Sequence, residues 1–132
     1  MTLLITLIIA AITYGTPLLF GTLGEILTEK SGNLNLGVEG IMFMGGALGL
    51  GGVYYYEKLS SSPNGFVAIL VGIFFAFLAG AIASLIFSFL TITLRANQNV
   101  TGLALTTFGM GVANFFGVFI LNGASYTAAP LA

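Results

Sequence analysis

The sequence predicts an all-α integral membrane protein, with about four transmembrane helices forming part of a larger bundle. Three observations predict it. Of 132 residues, 58% are hydrophobic and only 5% are charged, with mean hydropathy +1.09. A soluble domain carries about 25% charged residues because its surface must face water. Three basic and four acidic side chains cannot solvate a chain of this size, so its outside faces lipid. Secondly, four long runs, about 1–27, 38–56, 66–94 and 100–121, approach the roughly 20 residues needed to cross a bilayer. Thirdly, small residues recur four apart within these runs, as close helix packing in lipid requires.

The first run is uncharged through Gly24, and Pro17 is expected to kink it near Tyr14 to Thr16. No basic residue precedes it and it exceeds signal-peptide length, so it reads as a retained span. The second run is short and glycine-rich, with GGALGLGG from Gly45 to Gly52. The third is uncharged and long enough to cross at a tilt, and it places Gly72, Ala76, Gly80, Ser84 and Ser88 in one oblique stripe. The fourth repeats the stripe with Gly109, Ala113 and Gly117, and carries an amide, Asn114, expected to be buried. The tail from Asn122 is polar enough to leave the membrane. A single transmembrane domain is expected over 1–132, with no internal repeat.

Charge placement sets the expected orientation. Lys30 and Arg95 lie in the first and third loops and Lys58 in the second, which favours the first and third on the cytoplasmic side. Glu29, Lys30, Glu57 and Lys58 mark the water interface. Net charge is −1 with no basic cluster, so nucleic acid binding has no electrostatic support. Cysteine and histidine are absent, which removes thiol chemistry, disulfides and the usual zinc sites; no metal or cofactor is expected. No nucleotide-binding or catalytic motif appears, so the chain is not expected to be an enzyme.

Two polar breaks stand out. In SGNLNLGVEG, Ser31 to Gly40, Gly32 and Gly37 permit irregular backbone, which membranes tolerate only inside protein or beside a watery cavity. Glu39 sits there in the first turn of the next helix, where a carboxylate meets the positive end of the helix dipole. An ionisable group at such depth is also a candidate functional group. The second break, RANQNVTG, places the amides Asn97 and Gln98 just before the fourth helix. Arg95 reads as an anchor at a helix end, and as a candidate partner for Glu25, which lies one turn before Glu29 on one face. Paired breaks of this style resemble the discontinuous helices of transporters.

The stretch TPLLFGTLGEILTEKSGNLNLGVEGIMFMGGALG, Thr16 to Gly49, resembles the permease subunits of ABC importers for nucleosides, within the wider group of ribose-type sugar and branched-chain amino acid permeases. Members carry a stretch close to GELLSERAGVLNIGLEGMMLLGA, matched by Gly24, Glu25, Gly32, Leu34, Asn35, Gly37, Glu39 and Gly40. A second stretch, close to ANQVVTGLAL, is met by Ala96, Asn97, Gln98, Val100, Thr101 and Gly102. Lys30, Asn33 and Asn99 depart mildly from the pattern. Family permeases are much longer, so the chain is expected to be an N-terminal portion.

The resemblance implies a multi-pass subunit of the cell membrane that imports nucleosides, with sugars next. It implies three partners: an ABC ATPase subunit, a second homologous permease and an extracytoplasmic substrate-binding lipoprotein. Asn35, Glu39, Asn97 and Gln98 are then substrate-pathway candidates, with Gly24, Glu25, Gly32, Gly37, Gly40, Arg95, Thr101 and Gly102 as motif positions. Two other classes stay open on the residues: a self-contained channel or secondary transporter, and a purely structural membrane subunit.

Overall fold

The computed structural model describes residues 2–123, and the side chains of 2–120. Four α-helices follow in order: α1 (Thr2–Lys30), α2 (Val38–Leu59), α3 (Gly65–Ser88) and α4 (Gln98–Gly123), with a π-helical turn, Phe89–Thr93, extending α3. No strand occurs among the described residues. The exit of the tail expected beyond Asn122 lies outside them from residue 124 onward.

Three of the helical stretches, Thr2–Lys30, Gly65–Thr93 and Gln98–Ile120, are long and apolar enough to cross a membrane. Helix α2 spans 22 residues, or about 33 Å at 1.5 Å per residue, which is sufficient length. Its lower apolarity follows from its place. It packs against α1, α3 and α4, so glycine backbone rather than large side chains makes up much of its surface.

The helix ends differ from the apolar runs, because backbone signals rather than hydropathy set them. Helix α1 reaches Lys30 and closes in a Schellman motif. Gly32 N–H donates to Glu29 C=O at 2.9 Å and Asn33 N–H to Thr28 C=O at 3.1 Å. Gly32 sits between them at φ +86°, the left-handed conformation a residue with a Cβ resists. Pro17 lies inside α1 without ending it. Helix α2 runs on to Leu59, and Asn64 caps α3 by accepting from Phe66 N–H at 3.0 Å.

Helix α3 ends unlike the others. Its π-turn carries Leu94 N–H back to Phe89 C=O, and Ala96 N–H reaches Leu90 C=O at 3.0 Å. Arg95, between these donors, stands at φ +52°, the one described non-glycine residue with positive φ. An L-residue there carries about 1–2 kcal/mol of steric cost. Arg95→Gly should relieve part of it, whereas the β-branched Arg95→Val should destabilise by about 1–2 kcal/mol relative to Arg95→Gly. Thermal melting of the detergent-solubilised variants checks the order.

Helix α2 is the hub, and each neighbour meets it through different glycines. Against α3, a Cβ on Gly49 would lie 3.0 Å from Gly72 C=O and 3.1 Å from Ala76 Cβ, and one on Gly45 3.4 Å from Ala76 C=O. The expected small-residue stripes therefore meet each other. Against α4 the approach is closer: a Cβ on Gly40 would sit 2.5 Å from Leu105 C=O, and one on Gly109 would overlap the Gly40 backbone. Gly40 beside Leu105 to Gly109, and Gly51 beside Ile120, keep a nearly constant offset in number, so α2 and α4 run parallel.

Helix α1 buries no residue and, among the helices, contacts only α2. Lys30 and Arg95 fall at one end of the bundle, while Tyr54, Tyr55, Tyr56 and Lys58 lie at the other. There Lys58 Nζ stands 5.8 Å from the Tyr54 ring centroid, a belt of the kind found at membrane–water interfaces.

Candidate functional site

Both polar breaks lie at the same end, and they are tied together. Gln98, in the first turn of α4, accepts from Leu34 N–H at 2.8 Å through Oε1, and its Nε2 donates to Asn33 Oδ1 at 3.1 Å. Thr106, two turns further along α4, donates its hydroxyl to Leu36 C=O at 2.8 Å. From α1, Glu25 Oε1 accepts from Asn35 N–H at 2.9 Å, while Oε2 accepts from the Thr28 hydroxyl at 3.1 Å. Asn35, only 5% exposed, accepts from Gly37 N–H at 2.9 Å through its own Oδ1. Side chains from α1, the loop itself and α4 thus satisfy the extended backbone between α1 and α2, as backbone at a membrane requires.

The sequence candidates separate on this geometry. Gln98 and Asn35 hold the first loop. Asn97 is exposed and caps α4, accepting from Asn99 N–H at 3.0 Å and Val100 N–H at 3.3 Å. Its cap starts α4 at Gln98 rather than at 100. Glu25 takes Asn35 and Thr28 as partners rather than the candidate Arg95. Thr101 and Gly102 are buried where α4 meets the loop, and a Cβ on Gly102 would lie 2.8 Å from Leu36 N. Gly37 packs against the same spot, 3.1 Å from Gly102 C=O by the same measure. Gly24, by contrast, has open space around it.

Glu39 behaves differently. It occupies the first turn of α2, as expected, but it is exposed and has no hydrogen-bond partner among the described residues. It opens onto a groove of about 700 Å³ between α1, α2 and α4. Leu18, Met42, Phe43 and Leu50 give that groove its apolar walls, and Gly46, Ala47, Ala113 and Gly117 keep it open. Asn114 lines it too, so the amide is not buried as expected: it is exposed and also without a described partner. A second groove, of about 570 Å³ between α1, α2 and α3, reaches Asn35 and Thr28, whose oxygens are already engaged.

Sequence reasoning missed Asn33 and Thr106. Each bonds across 65 or more positions, and nothing local to either residue signals such a partner.

Helices of membrane-crossing length, packed on a glycine-rich hub and leaving a groove with a carboxylate and an amide in apolar walls, define an all-α, multi-pass membrane protein. The chain belongs to the family described as branched-chain amino acid transport system / permease component, which matches residues 7–130. It is 32% identical over 119 residues to the guanosine ABC transporter permease protein of Bacillus subtilis, covering 89% of this chain and 35% of that protein. It is 31% identical over 109 residues to the nucleoside ABC transporter permease protein of Lactococcus lactis, covering 83% and 32% respectively. A Haloferax volcanii protein, provisionally named a glucose ABC transporter permease protein, is 37% identical over 108 residues, covering 82% and 30%. The chain spans about a third of the length of these curated relatives. No solved structure matches it significantly. Like other members of its family, it is a multi-pass protein of the cell membrane.

Proposed function

We propose that this chain forms part of the membrane passage of an ABC importer for nucleosides, with sugars as the next solute class. The observation that carries the reading is the groove between α1, α2 and α4, where Glu39 and Asn114 stand in apolar walls without partners among the described residues. Such a site binds an uncharged polar solute by a few directed hydrogen bonds plus apolar contact with its rings. Family membership and the nucleoside and sugar names of the relatives support the same reading.

In this mechanism the chain contributes shape and hydrogen bonds, and the energy comes from elsewhere. An ABC ATPase subunit hydrolyses ATP, a substrate-binding lipoprotein delivers the solute, and a second homologous permease completes the passage. Of the four sequence candidates, Glu39 faces the solute. Asn35, Asn97 and Gln98 hold the backbone that positions α2 and α4. Gln98 and Thr106 link the first loop to α4, so a movement of α4 is transmitted to the start of α2.

Uptake of radiolabelled guanosine and glucose, in cells lacking and then regaining the gene, tests the proposal. ATP-dependent nucleoside uptake that returns with the gene is expected. A deficit confined to glucose overturns the substrate class, and uptake indifferent to the ATPase overturns the import mechanism.

A further inference from the structure

We infer that Asn114 selects the solute by its hydrogen-bonding pattern, reading an adjacent donor and acceptor on a neutral molecule, while Glu39 accepts from donor groups at the groove mouth. The inference rests on the importer reading above and extends it to a residue outside both sequence motifs.

Three observations carry it. The first is depth. Asn114 lies 16 residues into α4 from Gln98, about 24 Å at 1.5 Å per residue, on a helix apolar enough to cross the membrane. An amide facing lipid there loses its hydrogen bonds, at a cost polar side chains avoid by finding partners. The second is company. No described residue bonds Asn114, and the polar side chain sharing its groove is Glu39. The third is register. The parallel packing of α2 and α4 puts Asn114 near the level of Gly46 and Ala47, which line the same groove. That is about two turns, or roughly 10 Å, in from Glu39.

The chemistry follows from the two groups. A carboxamide presents one acceptor and two donors, so it pairs with an edge that offers both kinds of group. The ionised carboxylate only accepts, and it suits hydroxyl or ring N–H donors. None of the described residues lining the groove is basic, so phosphorylated solutes meet the Glu39 charge without compensation from them. A nucleobase edge and a pair of sugar hydroxyls share the donor–acceptor pattern, and the experiment separates them.

The test uses the full importer, with its ATPase and binding protein, and reads uptake per assembled complex. Asn114→Leu keeps the volume and removes the amide; it is expected to lower kcat/KM for the transported solute by about tenfold. Assembly with the ATPase should stay normal. Asn114→Asp should change the ranking among guanosine, adenosine, uridine and glucose, because it loses both donors. If the ranking shifts among nucleobases, the amide reads the base; if only glucose against the nucleosides shifts, it reads hydroxyls. These 132 residues contain no cysteine, so Asn114→Cys adds a local target for a hydrophilic thiol reagent, read against labelling of the wild-type importer. Labelling that the transported solute slows is expected.

Asn114→Leu that lowers the amount of complex, with uptake per complex unchanged, makes Asn114 a helix contact and overturns the inference. Unchanged ranking in Asn114→Asp, or labelling of Asn114→Cys that solute does not slow, overturns it as well. In each case the importer reading survives, because the wild-type complex still transports. Wild-type complex that takes up none of the four probes overturns both.

Discussion

Gly40→Ala is expected to destabilise the folded chain by about 3 kcal/mol, at the upper end of overpacking effects. The added methyl would stand 2.5 Å from Leu105 C=O and 2.6 Å from Thr106 Cα. Both are backbone atoms of a packed helix, so no side-chain rotation makes room. Relief requires α2 and α4 to separate by several tenths of an ångström along their crossing. That separation also loosens Gly37 and Gly102, which meet at the same seam. Gly109→Ala should behave alike, and the double variant should cost less than the sum, since one separation relieves both clashes. Gly111→Ala is the matched control: nothing lies within 4 Å of its Cβ position, and alanine favours helix by up to about 1 kcal/mol. The folded fraction after heating in detergent, followed by size-exclusion chromatography, should fall for the first two variants and hold or rise for the third.

Glu25→Ala is expected to cost about 2 kcal/mol. Its carboxylate accepts from the backbone N–H of Asn35, a residue whose surroundings leave it almost no water. Removing the acceptor strands that donor and forfeits a charge-assisted bond, each an effect of a few kcal/mol at most. Glu25→Gln keeps an oxygen in place and should recover more than half of the loss. Were Glu25 instead held by its charge, through an ion pair with Arg95, the glutamine variant would be as damaged as alanine and Arg95→Gln would match it. Chemical denaturation of the four proteins separates the two accounts.

The comparison of Glu25 with Glu39 shows what the sequence could and could not carry. Uncharged runs revealed the helices, since an apolar exterior is forced by composition. The stripes Gly45/Gly49 and Gly72/Ala76 were legible because their spacing alone puts them on one face, and the structure sets the two stripes against each other. Gly109 was legible as part of a small-residue stripe and Gly40 as a motif position; that their backbones touch depends on α2 and α4 running parallel. Gln98 announced a polar break, but its partners at Leu34 and Asn33 lie 64 and 65 positions away. Asn114 was read as buried from its apolar neighbours, whereas the turn of α4 points it into a groove. Arg95 carries no signal of a left-handed backbone, which the π-turn before it imposes. Arg95 apart, the missing information was the pairing of helices, which local pattern does not encode.

The division of labour at the polar end is the central claim: Gln98 holds the loop and Glu39 meets the solute. The most direct measurement is uptake of a radiolabelled nucleoside per assembled importer, for Glu39→Gln and Gln98→Ala side by side. Glu39→Gln should assemble normally and transport about tenfold less, because one strong acceptor is lost from the groove. Gln98→Ala should yield less assembled complex, with transport per complex near wild type. Full assembly with abolished transport in Gln98→Ala, together with normal transport in Glu39→Gln, would contradict the account.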